Sequence, residues 1–204
     1  MNALSQLIEK VQKTKSGFKD IEQEAHKLAS ECRIDESWKC AKQLYNSNIE
    51  EVRMCAVFVM GFIASEHDDG LAFLREKISN DESWRVQEVL AKAFDHYCSK
   101  VGYENALPTI RSWLSDQRAN VRRAVTEGLR IWTNRDFFKE HPSIAVELLS
   151  ELRMDNSEYV RKSVGNALRD ISKKHGELVQ KELKGWLLAT KEEKQTYRLA
   201  NKLF

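Results

Sequence analysis

The sequence predicts an all-α fold, an α-solenoid of HEAT-like helical repeats, on three observations. Apolar residues return at three- and four-residue steps along almost the whole chain, while prolines number only 2 and alternating β-branched stretches are few. Four segments share one register: Val52-Arg53-Met54-Cys55-Ala56, Val86-Gln87-Glu88-Val89-Leu90, Val121-Arg122-Arg123-Ala124-Val125 and Val160-Arg161-Lys162-Ser163-Val164. Their first valines are 34, 35 and 39 residues apart, the period of stacked helix pairs. Finally, 204 residues at 42% hydrophobic and 31% charged can bury a core, yet no apolar run approaches the roughly 20 residues needed to span a bilayer.

Taken in order, 1–35 is expected to be an N-terminal helical cap, with helices over 2–13 and 17–31. The repeats follow over 36–175. Their first helices fall near 37–46, 71–79, 106–115 and 143–152, and the longer second helices, each opened by a register valine, near 50–65, 83–99, 119–133 and 157–173. Pro108 and Pro142 suit first helical turns, where a missing N–H costs nothing. Asn48, Asp81, Asn120 and Asn156 suit N-caps. Helices within 176–204 close the array, because a solenoid must blunt its apolar ends. No linker interrupts the chain, so 1–204 reads as a single domain.

Several classes of function are disfavoured. The start, Met1-Asn2-Ala3-Leu4-Ser5, lacks the basic patch and apolar stretch of a secretory signal, so the expected compartment is the cytoplasm. Cys32, Cys40, Cys55 and Cys98 are widely spaced and form no C-x-x-C pair, which predicts small buried thiols rather than a metal site. The sequence carries no G-x-G-x-x-G, P-loop, G-x-S-x-G or H-E-x-x-H motif, so no cofactor and no metal are expected.

Charge points to a partner. The total is close to neutral, but residues 1–100 hold 14 basic and 17 acidic side chains whereas residues 101–204 hold 19 and 14. Such asymmetry suits an anionic partner for the second half. Counting each second helix from its valine as zero, positions 0, +3, +4, +7 and +8 are mostly apolar and face partner helices. Positions +2, +6 and +9 are left as an inner stripe: Met54, Phe58 and Gly61; Glu88, Lys92 and Asp95; Arg123, Glu127 and Arg130; Lys162, Asn166 and Arg169. Cations on successive repeats suit a phosphate backbone. An ordinary charged helix surface is the alternative.

The strings Trp84-Arg85-Val86-Gln87-Glu88, Val121 to Arg130 and Ser157 to Ser172 resemble the HEAT-like-repeat DNA alkylation repair proteins, the AlkC/AlkD superfamily. Trp38 to Gly61 resembles that family's first repeats. Val-Arg at a repeat start is generic to HEAT arrays, so the longer strings carry the specificity. The one containing Asn166 and Asp170, followed by Lys173-Lys174-His175, is similar to the AlkC branch. The resemblance implies hydrolysis of the N-glycosidic bond of cationic N3- or N7-alkylated purines in double-stranded DNA, by a monomer. It implies a tryptophan followed four residues later by an acid, here Trp84 and Glu88, and an inner-face arginine at Arg123 or Arg122. Where the AlkD branch has Asp, this chain has Glu88; where that branch has a second tryptophan, it has Asn166.

The chemistry suits these residues. Breaking the sugar–base bond builds positive charge on the deoxyribose, which a carboxylate stabilises while orienting water. Glu88 is the candidate catalytic acid, with Asp170 a second by resemblance. Trp84, Asn166 and Trp132 are candidate contacts to the damaged nucleotide. Arg123, Arg130, Lys162, Arg169 and Lys92 are candidate DNA contacts, whereas Arg122 and Arg161 are expected to bond loop carboxylates. Against these stand structural readings: Glu88 paired with Lys92, Asp170 paired with Lys173 or Lys174, and Trp132 in the core. At the level of function, the alternatives are a non-catalytic binder of damaged or branched DNA and a protein scaffold, for which apolar Met54 and Phe58 leave room.

Overall fold

A computed structural model of the chain describes residues 3–14 and 17–204. Residues 1, 2, 15 and 16, including the first position of the helix expected over 2–13, lie outside the described residues. The described residues contain thirteen α-helices, two short 3-10 turns and no strand. They form the α-solenoid of helix pairs that the periodicity predicts, in two compact units, Met1–Val101 and Gly102–Phe204.

Unit 1 holds α1 (Ala3–Gln12), α2 (Lys19–Glu31), α3 (Ile34–Tyr45), α4 (Glu50–Ile63), α5 (Gly70–Glu76) and α6 (Trp84–Val101). Its centre is α4, which packs against α1, α2, α3, α5 and α6. That is the environment its sequence requires, since a helix apolar on all sides has to be covered on all sides. Met54, Phe58 and Gly61 are therefore buried, not an open inner stripe. Gly61 serves a close approach: a Cβ there would lie 2.5 Å from the Ala93 Cβ on α6. Trp38, buried on α3, packs against His67 and Phe73, with ring centroids 4.3 and 5.3 Å away.

Unit 2 holds α7 (Tyr103–Leu114), α8 (Ala119–Trp132), α9 (Asp136–Glu140), α10 (Pro142–Ser150), α11 (Glu158–Ser172), α12 (Gly176–Lys184) and α13 (Lys191–Ala200). Helices α8, α11 and α13 lie side by side, backed by α7, α10 and α12. A Cβ on Gly165 would come 2.6 Å from the Leu199 Cβ and 2.9 Å from the Thr196 carbonyl oxygen, so this glycine lets α11 and α13 meet. Pro142 opens α10 as expected. Pro108 does not open α7, which starts a turn earlier at Tyr103 and carries the proline inside.

The loops before the long helices repeat one turn. The side chains of Ser47, Asp81, Asp116 and Asp155 each accept from the backbone N–H two residues on, at 2.8–3.1 Å. Six residues further, Arg53, Gln87, Arg122 and Arg161 reach back to the carbonyls of Ser47, Asp81, Asp116 and Asp155. The N-caps of α4, α8 and α11 are Ile49, Arg118 and Ser157, none with a side-chain cap bond, so Asn48, Asn120 and Asn156 are not caps. Asp81 orders the turn two residues too early to cap α6, a role taken by Ser83, whose Oγ accepts from the Val86 N–H. The same arginines join successive repeats. Arg122 forks onto Asp155, as expected, and Arg53 forks in the same way onto Asp81, while Arg161 bonds the Gln195 amide oxygen instead of the expected carboxylate.

Candidate functional site

In unit 1 the stripe on α6 begins with Trp84, the first residue of the helix, whose side chain is 68% exposed. Glu88 follows one turn later on the same side, half-buried. The turn below them is fixed by Arg85, which sequence reasoning gave no role. Its guanidinium donates to Glu50 at 2.8 Å and to Glu51 at 2.6 Å, and Ser83 also donates to Glu50. These bonds tie the N-terminus of α6 to that of α4, so Trp84 and Glu88 stand on an anchored helix. The signal was present as two adjacent acids at one repeat start and an arginine at the next. Lys92 leans toward α2: its Nζ lies 3.9 Å from a Glu22 carboxylate oxygen and 5.9 Å from the centroid of the Phe18 ring.

Above Lys92 the same side of the unit carries His96, Phe62 and His26. The Phe62 ring is 5.0 Å from His96 and 5.4 Å from His26, both edge-on. Burial, and then Lys100, hold the His96 imidazole below its ordinary range, with Asp95 opposing. The imidazole therefore favours its neutral form.

In unit 2 the exposed sides of α8 and α11 carry the expected cations, each beside an acid. Glu127 sits between Arg123 and Arg130, at 3.5 and 3.3 Å. Lys162 lies 2.7 Å from Glu158, and each holds the other charged: the Glu158 carboxyl is pushed down and the Lys162 amine up, chiefly by their mutual hydrogen bond. Asp170 pairs with Lys173 at 2.9 Å and lies 3.8 Å from Arg169. Asn166 is half-buried midway along the stripe. Lys174 donates to Asn134, joining the ends of α11 and α8. Exposed ion pairs of this type contribute about 0–1 kcal/mol, so a phosphate can displace the acid from a given cation.

One expected contact fails. Trp132 is fully buried, packed between Tyr103 and Phe138 at centroid distances of 5.3 and 5.7 Å, so no nucleotide reaches its ring. Gly128 makes room for it, since a Cβ there would lie 2.7 Å from the indole. Trp132 is a core residue because α9, the short helix the periodicity did not show, brings Phe138 over it. Met54 and Phe58, buried in unit 1, likewise offer no apolar docking surface. No group of three or more His, Cys, Asp or Glu side chains suited to a metal occurs among the described residues. Nor is any helix among them long and apolar enough to cross a membrane.

Residues 10–203 match the family described as DNA alkylation repair enzyme. Among solved structures, the chain is similar to AlkD2 from Streptococcus mutans, at 48% identity and a TM-score of 0.95, covering 98% of this chain and 97% of that one. It also resembles in fold the alkylpurine DNA glycosylase AlkC of Pseudomonas fluorescens, solved bound to DNA containing an abasic site analogue. There the identity is 22% and the TM-score 0.67, over 91% of this chain and 52% of that one. The uncharacterized protein YhaZ of Bacillus subtilis (strain 168) is 37% identical over 121 residues. That match takes in 57% of this chain and 34% of YhaZ, so the chain spans about a third of its curated relative.

Proposed function

The chain belongs to the DNA alkylation repair enzyme family, and from that premise we propose that it is an N-glycosylase releasing cationic N3- or N7-alkylated purines from double-stranded DNA. The observation that carries the reading is the pairing on α6 of an open tryptophan, Trp84, with a half-buried carboxylate, Glu88, one turn away. A cationic purine is already a good leaving group, so the departing base needs no general acid. As the C1′–N bond breaks, positive charge grows on the deoxyribose and the Glu88 carboxylate stabilises it. The same carboxylate orients the water that attacks C1′, whose proton passes to the carboxylate or to solvent. One preorganised group of this type contributes about 3–4 kcal/mol to the transition state. The indole face of Trp84 attracts the cationic base or the charged sugar.

Arg123, Arg130, Lys162 and Arg169 in this reading hold phosphates, with Lys92 contributing in unit 1, and Asn166 faces the damaged strand. Asp170, beside Lys173 and Arg169, is the second candidate acid, and the reading assigns the charge-stabilising step to Glu88. The protein acts as a monomer in the cytoplasm and uses neither metal nor nucleotide.

The test is release of methylated purine from alkylated duplex DNA by the wild type and by Glu88→Gln. Release by the wild type with loss in the variant supports the proposal. Equal release by both removes Glu88 from the chemistry, and binding by both without release by either makes the chain a DNA-binding protein only. No binding even at low salt leaves a scaffold.

A further inference from the structure

Of the described aromatic side chains only two are more than half exposed, Trp84 at 68% and Tyr159 at 74%. Phe204 is 47% exposed, and most of the others lie in the core or in ring contacts such as Trp132 with Phe138 and Trp186 with Tyr197. Tyr159 stands in the first turn of α11. It makes no hydrogen bond or ring contact with any described residue, so its ring face is available to a partner.

Its register gives it a use. Tyr159, Lys162, Asn166, Arg169 and Lys173 recur at three- and four-residue steps and, with the acids Glu158 and Asp170, are the residues of α11 and its C-cap that remain open, while Val160, Val164, Leu168 and Ile171 face inward. This open side extends about 21 Å from Tyr159 to Lys173 at 1.5 Å per residue. It has an aromatic ring at one end, an ammonium group one turn on, and an amide and further cations beyond, with the Glu158 carboxylate beside Lys162 and that of Asp170 beside Lys173 and Arg169. A ring beside cations is the composition that grips a nucleic-acid strand with an unstacked base. In a continuous duplex each base has both faces covered, so an open ring gains little from it; a base that has left the stack offers a free face.

We infer that Tyr159 is a stacking platform for one unpaired nucleobase, with Lys162 on the adjoining phosphate, and that the chain therefore prefers DNA with an extrahelical base to fully paired DNA. The inference rests on the DNA reading above and deepens it by naming the form of DNA this face takes.

The full chain is titrated at low salt with a short duplex carrying one extrahelical 2-aminopurine and with the same duplex fully paired. The wild type is expected to favour the bulged duplex about tenfold and to quench its fluorescence, within the range that stacking of one base supplies. Tyr159→Ala is expected to lose the preference and the quenching while keeping its affinity for paired DNA, and Tyr159→Phe to retain all three. Lys162→Ala should weaken both duplexes alike, as a phosphate contact does. No preference in the wild type, or a preference that survives Tyr159→Ala, overturns the inference while paired-duplex binding stands. Failure of the wild type to bind either duplex removes the DNA reading and the inference with it.

Discussion

At the residue scale, the proposed chemistry rests on Glu88 and Trp84, and Glu88 offers the direct test. Glu88→Gln keeps the shape of the side chain and removes its charge, so base release should fall by about 10²–10³, the value of one preorganised electrostatic group. In that proposal Arg85 acts by position, tying α6 to Glu50 and Glu51. A different residue sets a pH response. His96 is half-buried and its imidazole is held below the ordinary value near 6.5. In the unfolded chain the imidazole takes up a proton as pH falls through about 6.5, whereas in the folded chain it does so only at lower pH. The stabilisation is thus present above the unfolded value and lost as pH falls toward the folded one. Thermal melts from pH 7.5 to 5.5 should show the wild-type midpoint falling more steeply than that of His96→Gln. The Cys55 thiol, pushed up to about 12 by burial, should resist alkylation in the folded protein, a point that mass spectrometry after thiol labelling checks.

At the scale of the element, the recurrent arginine turn governs stability. The Arg122 side chain is 9% exposed and makes a two-pronged bond to Asp155 at 2.6 and 2.7 Å, with further bonds to the Asp116 and Gln117 carbonyls. Arg122→Ala would leave Asp155 charged and buried without its main partner, at a cost of about 3–5 kcal/mol. Chemical denaturation should show that loss, and Arg122→Met combined with Asp155→Leu should recover part of it, because removing both charges leaves neither stranded. Helix spacing is set by glycine. Gly165→Ala would push a methyl into Leu199 and the Thr196 carbonyl and should cost about 1–3 kcal/mol as overpacking does.

For the whole molecule, the balance of charge is the quantity to measure. The excess of cations lies in residues 101–204, and its members on α8 and α11 are partly neutralised by Glu127, Glu158 and Asp170. DNA affinity should therefore fall with added salt, and each of Arg123→Ala, Arg130→Ala, Lys162→Ala and Arg169→Ala should lower the logarithmic salt slope by about 1. A slope that none of these changes alters would place the phosphates on another surface.

Periodicity and register in the sequence were enough to determine the helix pairs, the long helices opened by Val52, Val86, Val121 and Val160, and the structural use of Arg122. Those features depend on contacts between residues a few positions apart or one repeat apart, and spacing alone encodes them. The tertiary structure decided what covers each helix. Met54 and Phe58 fill the same register positions as Arg123 and Glu127 and yet are buried, because the leading helices pack on α4. Trp132 is sealed by a five-residue helix too short to leave a periodic signal, and Tyr159 is open because it lies on the side of the first turn of α11 away from its packed neighbours. Exposure depends on neighbours distant in the chain, and a side chain's own pattern does not record them.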